Sequence, residues 1–125
     1  MRYAILCYHD EEVTSAWTKE QDEEVIQRLK TVQRRWAKHF EPIVRLMPTS
    51  AATTLRKTEN IVMDGPFAET KEQLLGFYIV DVDSLDVAIR ISREMAEANP
   101  GGAYELRPVA AYYPDGAAID DGPAS

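Results

Sequence analysis

The sequence predicts an α+β domain on the ferredoxin-like β-α-β-β-α-β plan, with an added hairpin in the middle. Three observations lead there. Arg2 to Tyr8 and Leu75 to Val82 are apolar on both alternating faces, the pattern of strands buried on two sides. Lys19 to Phe40 and Leu85 to Ala98 repeat apolar residues at helical spacing. Their order along the chain is strand, helix, two irregular strands, strand, helix, strand.

Within Arg2 to Tyr8, residues Tyr3, Ile5 and Cys7 share one face and Ala4, Leu6 and Tyr8 the other. His9-Asp10-Glu11-Glu12 then leaves the sheet as a polar loop. In the long helix, Thr18 and Gln21 have capping-box spacing, and Glu20, Asp22, Glu23 and Glu24 complement its positive start. Val25, Leu29, Val32, Trp36 and Phe40 form one apolar stripe, and Arg28, Lys30, Arg34, Arg35 and Lys38 gather toward the negative end. His39 suits that end as a cation, and Pro42 stops the helix.

Leu46-Met47-Pro48 with Ala51 to Arg56 suggests one irregular strand and Ile61-Val62-Met63 a short partner, joined by a turn at Lys57-Thr58-Glu59-Asn60. In Leu75 to Val82, Phe77 and Ile79 oppose Tyr78, Val80 and Val82. Ser84 is placed to cap the second helix, which turns Leu85, Ala88, Ile89, Met95 and Ala96 inward and ends at Asn99-Pro100-Gly101-Gly102. Tyr104 to Tyr113 makes a last strand, with Pro108 placing part of it at an edge or bulge. The domain is expected to span residues 1–113. Residues 114–125, small and polar without periodicity, read as a flexible tail.

At 125 residues the chain is one domain with a real core. Its single cysteine, Cys7, excludes an internal disulfide and fits a reducing compartment. No signal peptide and no membrane-spanning run is legible, so the expectation is a cytoplasmic protein that does not engage a membrane. The net charge of −7 argues against nonspecific nucleic-acid binding, which needs basic surface to displace counterions. No paired metal-ligand spacing, Gly-rich phosphate loop or nucleophile elbow occurs, and no metal or cofactor is expected. Two helices cover only one face of a sheet whose strands are apolar on both. The simplest cover for the second face is another copy of the same sheet, which predicts a homodimer.

The densest motif is Asp64-Gly65-Pro66-Phe67-Ala68-Glu69-Thr70-Lys71-Glu72-Gln73. Asp-Gly-Pro reverses the chain: Gly65 can take a positive φ and Pro66 fixes its own. The run resembles the signature DGPF-x-E-x-K-E of the DGPF proteins, a branch of the YCII-related family. The similarity extends from Ala51 to Val109 through Thr53-Thr54-Leu55-Arg56, Gly76-Phe77-Tyr78, Asp81-Val82-Asp83 and Glu105-Leu106-Arg107-Pro108. The resemblance implies a dimeric α/β barrel, the fold of the wider family. In related families such barrels enclose a pocket between sheet and helices, and some perform lyase or dehalogenase-type proton chemistry without a cofactor. DGPF-type proteins often accompany extracytoplasmic-function sigma factors, which implies a link to such a factor and a regulatory or stress-response role. Some relatives carry a suggested histidine–aspartate pair with the histidine on the first helix; neither His9 nor His39 falls on that position.

Each candidate site residue has two roles open to it. Asp64 would be a general acid or base, with Glu69 and Lys71 contacting a ligand and Lys71 adjusting carboxylate pKa; equally, Asp64 would cap the turn while Phe67 plugs the core. His9, after the first strand, would be a general base or simply an exposed loop residue before an acidic run. Arg56 and Arg107 would hold a small anionic ligand or pair with Glu105 or another carboxylate. Tyr78, with other aromatic residues, would wall a pocket or fill the dimer core. Cys7 reads as a small apolar core residue. Two functions follow: a small-ligand-binding or regulatory module, or a cofactor-independent acid–base enzyme using Asp64 or His9.

Overall fold

The computed structural model describes residues 1–116. The expected tail lies outside the described residues from position 117 onward. The elements are β1 (Arg2–His9), α1 (Glu11–Thr14), α2 (Lys19–Arg35), β2 (Phe40–Arg45), a 3-10 turn (Thr49–Ala51), β3 (Thr53–Arg56), β4 (Ile61–Asp64), β5 (Gln73–Asp81), α3 (Leu85–Ala98) and β6 (Ala103–Pro108). A four-stranded antiparallel sheet has the order β2-β5-β1-β6, and β3 and β4 pair separately as a hairpin. This is the ferredoxin-like plan with an inserted hairpin. The sheet of the single chain is open.

β1 and β5 are central because their alternating residues are apolar throughout. Tyr3 and Ile5 of β1 sit opposite Val80 and Tyr78 of β5, and all four face the helices. Against them pack Ala88, Ile91 and Met95 of α3 with Val32 of α2; Ile5, Val80, Ile91 and Met95 are fully buried. Ala4, Leu6, Phe77 and Ile79 point to the other face and stay half-buried.

The helix starts follow their caps. Thr18 and Gln21 complete the reciprocal capping box, and the Ser84 hydroxyl accepts from Val87 N–H. The inward face of α3 differs from the expected one: it is Ala88, Ile91, Ser92, Met95 and Ala98, while Leu85 and Ala96 are exposed. Leu85 occupies the first turn of α3, 45% exposed.

The middle of the chain departs most from expectation. Helix α2 ends at Arg35, and Phe40 belongs to β2, where it pairs with Val80. Pro42 lies inside that strand, which is tolerated because β2 is a sheet edge interrupted there by a register shift. His39 falls in the connecting turn, and its Nδ1 donates to the Asp81 carbonyl at 2.9 Å. The segment from Leu46 to Arg56 is not one strand: a 3-10 turn interrupts it, and only Thr53–Arg56 pairs with β4. The turn from Lys57 to Asn60 is as expected, with Asn60 at positive φ. The polar loop after β1 contains α1, capped by Asp10 through Glu12 N–H at 2.9 Å. β6 stops at Pro108, well short of Tyr113.

The hairpin stands apart from the core. Leu55, Ile61, Val62 and Met63 are all exposed, and so is Phe67 at 72%. Phe67 is therefore not a core plug of this chain. It follows the hairpin closely, and its ring lies under the Arg56 guanidinium, 5.7 Å from the centroid. Among the described residues no helix is long and apolar enough to cross a membrane.

Replacing Ile91 by alanine should cost about 2–5 kcal/mol, read as a lower urea midpoint with an unchanged slope. Leu85→Ala, at an exposed position of the same helix, should cost less than about 1 kcal/mol. The reverse ranking would mean that α3 is rotated from the phase described.

Candidate functional site

The two halves of α2 are held differently. Its C-terminal half packs on the core through Leu29, Val32 and Trp36 and reaches α3 through an Arg35–Glu94 ion pair. Val25, in the N-terminal half, is buried but lies outside that cluster. Between this half and the sheet lies a cavity of about 870 Å³, large enough for a drug-sized molecule.

Its walls are mainly apolar: Val25, Ile26 and Leu29 from α2, Ile43 from β2, Met47, and Leu75 from β5. Gly76 lies on the floor, and a Cβ there would collide with the Val44 carbonyl, so glycine lets β2 close on β5. A register shift in the β1–β5 pairing sits at the same place. Cys7 pairs with Gly76 and Tyr8 with Leu74, leaving Leu75 unpaired against β1. Trp17 and Thr18 form one lip of the mouth, and Arg45 bonded to Asp22 at 3.0 Å forms another.

Cys7, Tyr78 and Asn99 are polar, uncharged members of the lining. Burial raises the Cys7 thiol and pushes Tyr78 up to about 12, with Cys7 adding to the shift and Arg45 opposing it. Burial also raises the neighbouring Tyr104, further reinforced by Cys7 and Tyr78 and opposed by the Asn99 amide. Despite that proximity, the Tyr104 hydroxyl and Asn99 Oδ1 are buried without hydrogen-bond partners. A group left so costs about 1–3 kcal/mol. Of the two residues Asn99 belongs to the cavity lining and Tyr104 does not, and both atoms are closed to solvent. A third, Trp36 Nε1, lies farther along α2 beside His39.

His9 is close to this site but behind its wall. It is 6% exposed, and its ring meets Trp17 edge-on at 6.0 Å. Nδ1 accepts from Asp10 N–H at 2.8 Å, which places the proton of the neutral ring on Nε2. A second, polar cleft adjoins it, lined by Glu11, Thr49, Thr70 and Lys71 among others. There the Glu11 carboxylate accepts from the Thr49 amide at 3.1 Å and from its hydroxyl at 3.1 Å, while Gln73 Oε1 accepts from Glu11 N–H at 2.9 Å.

The remaining expected site residues are scattered. Asp64 ends β4, exposed, and among the described residues no hydrogen bond or ion pair holds its carboxylate, so it does not cap the turn. The turn is closed by the backbone instead: Gly65, at φ 97°, donates to the Ala52 carbonyl at 2.7 Å, and its own carbonyl accepts from the Thr54 hydroxyl at 2.8 Å. Glu69 and Lys71 are exposed, and Lys71 borders only the polar cleft. Arg56 lies on the hairpin, and Arg107 pairs with Glu105 on β6 at 2.5 Å. Of the candidates only Tyr78 lines the cavity. Asn99 was missed, having served only as the start of a helix stop. The nearby Tyr104, opposite Cys7, offered a faint signal: three polar aromatic or thiol side chains, Cys7, Tyr78 and Tyr104, on three adjacent strands.

These features define a small ferredoxin-like α+β domain with a ligand-sized cavity between its first long helix and its sheet. The chain belongs to the YCII-related family, whose domain model matches residues 1–112. An uncharacterized protein of Rhizobium meliloti (strain 1021) is 58% identical over 119 residues, spanning 91% of this chain and 96% of its own length.

The tyrosine shift has a measurable sign. Tyr78 ionises at about 12 when folded and near its ordinary 10 when unfolded. Its stabilising contribution is complete below pH 10 and is lost as pH rises from about 10 to 12. Denaturation midpoints should fall across that window by on the order of 2–3 kcal/mol from this group. Tyr78→Phe should flatten part of the decline; an identical profile in the variant would contradict the burial described.

Proposed function

We propose that the chain is a homodimeric small-ligand-binding domain whose site is the cavity between α2 and the sheet. The observation that carries this is the cavity itself: a ligand-sized space with mainly apolar walls from α2, β2 and β5 and a few polar groups, Cys7, Tyr78 and Asn99 among them, in its lining. Dimerisation rests on two exposed features. The helix-free sheet face is apolar, and the two-stranded hairpin presents Leu55, Val62, Met63 and Phe67 without a third strand or a helix to cover them. An isolated two-stranded ribbon is marginally stable in water, and a second copy of the chain covers both surfaces at once. A regulatory role fits a domain that binds without turning over its ligand.

One observation favours the alternative, a cofactor-independent acid–base enzyme. His9 is buried, fixed in one tautomer, and set edge-on against Trp17, a residue of the cavity lining. In that tautomer Nε2–H can donate a hydrogen bond to a substrate oxygen, while the Nδ1 lone pair is taken by Asp10 N–H, so His9 would act as a base only after that bond is exchanged. Asp64 would enter only through a rearrangement of the hairpin or from the second subunit.

Light scattering across a dilution series should give twice the chain mass, and Val62→Asp should shift the equilibrium toward one chain. A single-chain mass at micromolar concentration would overturn the dimer. A thermal-shift screen of small molecules should find a stabilising compound, worth about 2.7 kcal/mol at a hundred times its dissociation constant. Such a compound should lose its effect when Leu29→Trp fills the cavity; an unchanged effect would place binding elsewhere.

A further inference from the structure

We infer that the cavity takes an elongated apolar molecule with one anionic head, the chemistry of a fatty acid, and that Arg45 and Lys19 hold the head at its mouth. This deepens the reading of the cavity as a binding site and rests on it.

The cavity is long. Its lining on α2 runs from Thr18 at the N-cap to Gln33 in the last turn, about 22 Å along the helix axis. Opposite lies β2 from Ile43 to Arg45, continued by Leu46, Met47 and Pro48. Because β2 is the sheet edge, no further strand closes that side. Ile43, Leu46 and Met47 are exposed although each borders the cavity. Large apolar side chains along an open trench shed their water only when something lies in it. An extended hydrocarbon chain can follow both walls, whereas a compact ring system reaches only part of the length.

Charge selects the head. The charged side chains of the lining are Lys19, Lys30 and Arg45 against Glu11 and Asp22. Both carboxylates are engaged, Glu11 by the Thr49 amide and hydroxyl and Asp22 by Arg45. Among the described residues neither lysine makes an ion pair. The other acidic residues at the start of α2, Glu20, Glu23 and Glu24, are outside the lining, and Glu24 pairs with Arg28. A chain of net charge −7 therefore lines this cavity with more cations than anions. Arg45 meets Asp22 through Nη2 alone, which leaves N–H groups on Nε and Nη1 for a second acceptor. A carboxylate set there shares Arg45 with Asp22 and draws on Lys19 at the same end of α2. An ammonium head meets the same cations and no free carboxylate in the lining.

The test titrates hexanoate, octanoate, decanoate, 1-decanol and decylammonium by calorimetry, at neutral pH, low salt and sub-micellar concentration, with amide chemical shifts mapping the site. Decanoate should shift amides of α2 and β2, and each added methylene from hexanoate onward should tighten binding about two- to fourfold. Decanoate should bind about 3- to 5-fold tighter than 1-decanol and about tenfold tighter than decylammonium. Both margins should shrink in about 0.5 M salt. Lys19 and Arg45 are exposed, so replacing both by glutamine leaves the core intact. In that double variant the margins should fall to about twofold or less while the methylene increment persists. Lys30→Gln, about 16 Å along the helix from Lys19, should keep them. Equal binding of decanoate and 1-decanol, tightest binding by decylammonium, or margins unchanged in the double variant would overturn this inference while leaving a binding cavity. So would margins lost in Lys30→Gln, or affinity that does not rise with chain length. Binding by none of the series would overturn it as well, and the broader thermal-shift screen then judges the cavity alone. Shifts clustered away from α2 and β2 would overturn both readings.

Discussion

The packing of α3 across β1 and β5 is the interaction on which the other features depend. Ile91 and Met95 meet Ile5 and Val80 with no exposed surface, and Ala88 is small enough to let the helix approach closely. This contact sets the height of the helical layer. Helix α2 takes its position largely from α3: Arg28 Nε donates to the Ala98 carbonyl at 3.2 Å, and Arg35 pairs with Glu94. Only its C-terminal half then touches the core. The gap beneath the other half follows from a helix anchored at one end, and it opens where Gly76 withholds a side chain.

Around that gap the chain uses local hydrogen bonds to hold irregular backbone in place. Asp10 starts α1, Gln73 receives its first amide, and Glu11 reaches across to start the 3-10 turn at Thr49. The signature run thus contributes at both of its ends, through Gly65 closing the hairpin and Gln73 receiving the start of α1. Its central charges remain on the surface. The charged motif that dominates the sequence and the cavity that dominates the structure are neighbours along the chain but chemically distinct places.

Much of the architecture was legible because it is local or periodic. Strands β1 and β5 showed alternation, α2 and α3 showed caps, and the Lys57 to Asn60 turn showed its residue types. What escaped was decided at a distance. β2 was hidden because Phe40 continued the helical stripe and Pro42 reads as a stop; only pairing with β5 makes that stretch a strand. On α3, Ala88 and Met95 were placed inward correctly, but Leu85 was not: it is apolar yet exposed in the first turn. Tyr78 was found as an aromatic wall, whereas Asn99 has no pattern in sequence: only the fold brings this helix-end residue into the same cavity lining as Tyr78. Exposure of Phe67 was equally invisible, since an apolar residue in a turn looks like an anchor until the turn is seen to project.

The register shift between β1 and β5 makes this region intolerant of length changes. Leu75 is an extra residue in the pairing, and beyond it the faces of β5 are exchanged: Gly76, Tyr78 and Val80 face the helices, and so does Gln73, opposite buried His9. Deleting Leu75 would restore a regular ladder with Gln73 still opposite His9, at the loss of a cavity wall residue and of the carbonyl that accepts from Leu46 N–H. Inserting a second extra residue would either widen the bulge or turn Gln73 away from the first amide of α1. The turn at the tip of the hairpin has no such accounting, because its residues are exposed and pair with nothing beyond their own ribbon. Among descendants of this sequence, gaps should therefore accumulate between Lys57 and Asn60 while the spacing from Gln73 to Tyr78 stays fixed, even where the side chains themselves drift.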